Sequence, residues 1–241
     1  MKIIVSLIAL AAMLAALPAQ AEPSLVLNTS YSAPITSPKK NGFLDLLYQE
    51  LAARTGIKIE IQALPAERAL VNANTGIDDG DVGRIAGLEK QYPNLVMVPE
   101  QVMPFQMGVF TRNASFAVNG PASLQPYDVG IVTGWKILER TIVGTRSRVT
   151  VETGEQLFTM LDGNRIDVAV IERMQGIRLI KRMGFQNIKE LQPPFLQGDW
   201  YLYLNKKHAA LVPILAAELK KMKTDGTSQR LYEVVMSRYA K

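Results

Sequence analysis

The chain has no cysteine, a single histidine and two tryptophans in 241 residues. Without cysteine no disulfide can staple the fold, so packing alone must carry stability, and thiolate chemistry and cysteine-bound zinc are excluded. The lone His208 has no partners spaced for a metal site or a serine triad and reads as a solvated residue at a helix start. The glycines match neither the phosphate loop nor the dinucleotide fingerprint. No metal and no cofactor is expected. Charge is also scarce: the net excess is only +5. The densest basic clusters, Lys206-Lys207 and Lys220-Lys221 with Lys223, fall in amphipathic sequence, where solvated helix faces explain them better than nucleic acid does.

What is present begins at the N-terminus. Lys2 precedes an almost unbroken apolar run from Ile3 to Leu17, and Ala19-Gln20-Ala21 supplies a small-x-small cleavage site. The run is shorter than the roughly 20 residues of a membrane-spanning helix, and Pro18 with the small residues favours cleavage over an uncleaved anchor. Residues 1–21 are therefore read as a signal peptide. With no cysteine at the cleavage site there is no lipid anchor, and a freely diffusing exported chain is retained only where a second membrane surrounds it. The expected location is the periplasm.

From Glu22 onward short β-branched runs alternate with helical stretches, the pattern of an α/β fold. Leu25 to Leu27 begins a strand; Leu44, Leu47 and Leu51 mark a helix closed by Gly56. Ile57, Ile59 and Ile61 alternate as a strand does, and Pro65 opens a helix that Gly76 ends. Further strands are predicted at Asp81 to Ile85, Leu95 to Val98, Met107 to Phe110, Val129 to Val132, Val149 to Val151 and Ile166 to Ile171. Helices are predicted from about Trp135, around Leu157 to Leu161, along Leu211, Leu215, Leu219 and Met222, and over Leu231 to Tyr239. Loop residues Asn113, Gly120 and Pro121 place a boundary near Thr111.

Three segments, in order, resemble the type II periplasmic solute-binding proteins, in particular the polar-amino-acid ABC transporter receptors of bacterial extracellular solute-binding protein family 3. They are Asn41-Gly42-Phe43-Leu44-Asp45-Leu46-Leu47, Ile166-Asp167-Val168-Ala169-Val170-Ile171-Glu172 and Asp225-Gly226-Thr227-Ser228-Gln229-Arg230-Leu231. The resemblance implies two α/β lobes, each a mixed sheet flanked by helices, joined by two hinge strands. Lobe 1 would be discontinuous, 22–109 with 202–241, and lobe 2 would be 110–201. The crossings would lie near Met107 to Thr111 and Trp200 to Leu204, permitting rigid-body closure.

An α-amino acid requires a cation for its carboxylate, an anion for its ammonium and an apolar wall. Arg84, at the end of the strand after Gly80-Asp81-Val82-Gly83, is the candidate cation, with an ion pair to Asp79 or Asp81 as the equal alternative. The Thr-x-x-Arg that the family carries after this strand is absent here. Glu172 matches the family's acidic position and is the candidate for an ammonium; alternatively it serves the N-terminus of the following helix. Gly134-Trp135-Lys136 precedes a helix whose free N–H groups can hold an anion, with Trp135 stacking on a solute or packing in the core. Tyr31 stands where the family places an aromatic wall, with a surface-loop tyrosine as the alternative, and Arg68 faces the cleft, pairs with Glu67 or meets solvent.

The expectation is a monomeric receptor, not an enzyme, that captures a small polar solute by hinge closure and delivers it to an inner-membrane ABC permease. The alternatives are a ligand-sensing subunit for a membrane signalling protein and a dehydratase-like enzyme on the same scaffold. The latter needs a general acid or base, for which Glu172 is the available candidate.

Overall fold

A computed structural model describes residues 23–239; the expected signal peptide lies outside them. The first half-sheet is built from β1 (Ser24–Thr29), helix α1 (Phe43–Thr55), β2 (Lys58–Ala63), helix α2 (Ala66–Thr75) and β3 (Gly80–Arg84). Leu44, Leu47 and Leu51 are buried along one face of α1, as their spacing predicts, and Gly56 ends it. Pro65 precedes α2 and Gly76 closes it. The second half-sheet is built from β5 (Asp128–Val132), α3 (Lys136–Thr141), β6 (Ser147–Val151), α4 (Gly154–Asp162), β7 (Val168–Glu172) and α5 (Arg173–Met183). Helices α6 (Val212–Thr224) and α7 (Thr227–Tyr239) finish the described chain.

Two long strands join the halves: β4 (Leu95–Thr111) and β8 (Lys189–Asn205), each of 17 residues. They pair antiparallel from Leu95 opposite Asn205 to Thr111 opposite Lys189. Hydrogen bonding therefore runs through one eight-stranded mixed sheet in the order β2-β1-β3-β8-β4-β7-β5-β6. Leu95 to Met97 lies opposite the end of β8 that also pairs with β3, whereas Met107 to Thr111 also pairs with β7. From Met103 to Gln106 β4 and β8 have only each other, and their ladder slips between Met97 and Gln101, between Gln101 and Met103 and between Met107 and Val109.

The sequence reads β4 as two short strands because Pro104 interrupts the run. In the structure Pro104 sits opposite Asp199 in the stretch where β4 pairs with β8 alone and its other edge is unpaired, so a residue that cannot donate a ladder hydrogen bond is tolerated. All five residues of β3 and of β7 are buried, as interior strands covered on both faces require, while the edge strands β2 and β6 are largely open.

Candidate functional site

Loops after β1, β2, β5 and β6 and the start of α5 converge at the carboxyl ends of their strands, where α/β sheets hold ligands. They enclose a cavity of about 290 Å³ lined from the first half by Thr29 to Ser32 and Ala63 to Ala66. The second half contributes Val132, Trp135, Glu152 to Glu155, Ile171, Gln175 and Leu179. A second gap of about 20 Å³ lies beside Tyr31, Arg84, Met107, Trp135, Lys136 and Trp200. Tyr31 and Trp135 line both spaces and so form the partition between them.

The partition is an aromatic stack. Tyr31 lies on Trp200 with ring centroids 4.2 Å apart and meets Trp135 edge-on at 5.8 Å. Phe105 extends the stack from the other side of Trp200 at 5.2 Å. Tyr31 is buried, its hydroxyl donates to the Gly83 carbonyl, and burial raises its pKa well above the usual phenol value.

Arg84 is 6% exposed and forms an ion pair with Asp81, Nη2 to Oδ2 at 2.8 Å; Nη2 also donates to the Ala66 carbonyl at 3.2 Å. Residues three apart on a regular strand point to opposite faces. Here the ladder slips between Asp81 and Arg84, and that irregularity accompanies the meeting of their side chains. Asp79, the other partner weighed from the sequence, instead binds Lys207 at 2.8 Å and His208 at 2.7 Å, so His208 is engaged rather than freely solvated.

Glu172 ends β7 and caps α5: its two oxygens accept from the N–H groups of Met174 at 3.1 Å and Gln175 at 2.8 Å. It lines a neighbouring groove with Phe105 and Tyr232, not the 290 Å³ cavity. Burial raises its pKa from 4.5 to about 7, against the helix N–H groups that favour the anion. Because the folded pKa is the higher one, the folded state binds more protons between pH 4.5 and 7, and stability falls as pH rises through that window. Glu172→Gln is expected to flatten urea-unfolding stability between about pH 5 and 7 and to raise it at pH 8 by about 3 kcal/mol at most. Unchanged pH dependence contradicts a titrating Glu172.

Gly134 does not offer its N–H to a ligand: it donates to Glu139 Oε1 at 2.6 Å. Lys136 bridges Glu139 at 2.9 Å and Glu67, in the other half, at 2.5 Å. Arg68 is exposed and does not line the cleft; Glu67 pairs with Lys136 rather than with Arg68. A second clasp between the halves was not anticipated: Gln175 Oε1 accepts from the Ser32 N–H at 2.9 Å and the Ser32 hydroxyl at 3.0 Å. Gln175 and Trp200 are thus site residues that the sequence reading missed. No period marks a polar residue in the first turn of a helix as buried.

Four side-chain groups in this region, Ser30 Oγ, Arg84 Nε, Trp135 Nε1 and Gln175 Nε2, are buried without a hydrogen-bond partner among the described residues. Each stranded donor costs about 1–3 kcal/mol. Among the described residues, no three His, Cys, Asp or Glu side chains gather as metal ligands do, and no helix is long and apolar enough to cross a membrane.

No family model matches the chain. It is 28% identical over 199 residues to an uncharacterized protein of Shewanella oneidensis, covering 77% of this chain and 73% of that one. Among solved structures it resembles an ancestral arginine-binding protein bound to glutamine, with a TM-score of 0.75, 16% identity, and coverage of 89% of this chain and 98% of the other. An arginine transport periplasmic binding protein from Legionella pneumophila gives 0.73 at 14% identity over 89% and 100%. A histidine kinase sensor domain similar to periplasmic binding proteins gives 0.75 at 16% over 90% and 95%. The fold is that of the periplasmic binding proteins, and its solved neighbours include amino-acid ABC transporter substrate-binding proteins. They are binding proteins, and one serves a kinase as its sensor.

Proposed function

We propose that the chain is an exported, monomeric solute receptor that acts in the periplasm, not an enzyme. The halves built on β1–β3 and on β5–β7 act as lobes that close on a small polar solute through the section where β4 and β8 pair only with each other. The observation that carries this reading is the 290 Å³ cavity, which takes its walls from both halves at the ends of their strands. The Ser32–Gln175 and Glu67–Lys136 contacts are clasps available to a closed state, and a solute bridging the lobes shifts the population toward it. The loaded receptor then delivers to an inner-membrane ABC permease.

Thermal shift and isothermal titration against amino acids, organic acids and short peptides test the reading. A solute binding at micromolar Kd, about −8 kcal/mol, is expected; the absence of any binder at millimolar concentration removes the receptor role. A sensing role is the second reading, favoured by the likeness to a histidine kinase sensor domain. Cells lacking the chain separate the two. Transport requires loss of labelled-solute uptake, while sensing requires loss of the transcriptional response with uptake intact.

A further inference from the structure

Among the described residues, the cavity-lining side chains hold two unpartnered N–H donors and one unpartnered hydroxyl, Ser30 Oγ, which can donate or accept. Trp135 Nε1 and Gln175 Nε2 belong to cavity-lining residues and Arg84 Nε lies in the gap behind the aromatic partition, all three buried and unpartnered among the described residues. The indole and guanidinium nitrogens can only donate. The amide of Gln175 is fixed in orientation, because the Ser32 N–H must face its oxygen.

Most carboxylates within reach are occupied; one exception is Asp45 in the adjoining cavity, whose Oδ1 is buried without a partner among the described residues. Asp81 holds Arg84 and the Gly83 N–H, Glu172 holds two N–H groups of its own helix, Glu67 holds Lys136, and Glu155 holds Arg182. Glu152 lines the cavity but is exposed at its rim, where water screens its charge. An ammonium inside this cleft would therefore find no buried, unpaired carboxylate among the cavity-lining residues. The adjoining cavity, of about 660 Å³, carries more cationic than acidic side chains, Lys39, Lys40, Arg178 and Arg182 against Asp45 and Glu155, a field that draws anions.

We propose that the cleft selects small carboxylic acids that lack an ammonium group over α-amino acids. The inference rests on the receptor reading. The acid's oxygens supply acceptors to Trp135 and Gln175, which line the cavity, so closure over the acid no longer strands those donors. The same closure over an amino acid buries an unmatched cation.

Isothermal titration of the processed chain tests this with pairs that differ by one amino group: succinate with L-aspartate, glutarate with L-glutamate, and 3-phenylpropionate with L-phenylalanine. Inorganic phosphate and sulfate serve as non-carboxylate anions. At least one acid is expected to bind at least about tenfold more tightly than its amino counterpart. Trp135→Phe, which keeps a ring and removes the Nε1 donor, is expected to weaken that acid about tenfold when titrated well below the variant's melting temperature. An amino acid that binds as tightly as its partner overturns the selectivity but leaves the receptor reading standing, as does binding of phosphate or sulfate without any carboxylic acid. Undiminished acid binding by Trp135→Phe overturns the donor assignment. No binding by any probe overturns both the inference and the receptor reading.

Discussion

Asp81→Ala is expected to destabilise the protein by about 3–5 kcal/mol, and Arg84→Met by clearly less. The two residues form one buried pair, with Asp81 fully covered and Arg84 nearly so. Deleting the carboxylate leaves a guanidinium that cannot shed its proton, supported only by the Ala66 carbonyl at 3.2 Å. Deleting the guanidinium leaves Asp81, whose carboxyl is already pushed up by burial against the opposing pull of Arg84. With Arg84 gone it can protonate and so avoid a bare buried charge. Urea unfolding of the ligand-free variants at pH 7 measures both, and the Asp81→Ala loss corresponds to a drop in Tm on the order of 10 °C. Equal costs, or a cost for Asp81→Ala below about 1 kcal/mol, contradict a pair that matters through its charge.

The same pair shows where sequence reasoning reaches and where it stops. Composition and spacing identify Arg84 as a cation on a buried strand, but they cannot choose between Asp79 and Asp81. On a regular strand Asp81 would point away from Arg84. The slip in the β3–β8 ladder accompanies their pairing, and it is a property of two strands more than a hundred residues apart. Glu172 is ambiguous in the same manner. A carboxylate between a strand and a helix suits either a ligand or the helix N-terminus, and only the Met174 and Gln175 hydrogen bonds decide for the helix.

Helices such as α1 and α2 are legible because leucine spacing and terminal glycine or proline act locally. The continuous β4 is not, since Pro104 breaks the local pattern while its pairing with β8 overrides it. The family resemblance singles out Tyr31, which lines the cavity. Its stacking partner Trp200 is hidden in a strand whose position depends on β4.

Gly134→Ala is expected to weaken solute binding by about a hundredfold, equivalent to about 2.7 kcal/mol, and to shift the molecule in solution toward an open form. Gly134 follows β5 in one half, with φ at +82°. A Cβ placed there falls 2.4 Å from the Glu67 backbone nitrogen and 2.8 Å from the Ala66 carbonyl carbon, both in the other half. No rotamer change can relieve a clash between backbone atoms, so the halves must separate. Separation also breaks the contact between Glu67 and Lys136, two residues after Gly134. The positive φ strains an alanine in open and closed forms alike, which lowers stability by about 1–2 kcal/mol without touching the closure equilibrium. Gly144→Ala isolates that strain: φ is +73°, and the nearest atom to its Cβ is the Gln125 side-chain nitrogen at 3.7 Å. Small-angle scattering is expected to show a larger radius of gyration for Gly134→Ala alone, and titration to show weakened binding for it alone. Comparable binding loss in Gly144→Ala, or normal affinity in Gly134→Ala, contradicts closure of the halves at this contact. The wedge acts only where Gly134 meets Ala66 and Glu67, so its effect on affinity measures how much binding depends on bringing the two halves together.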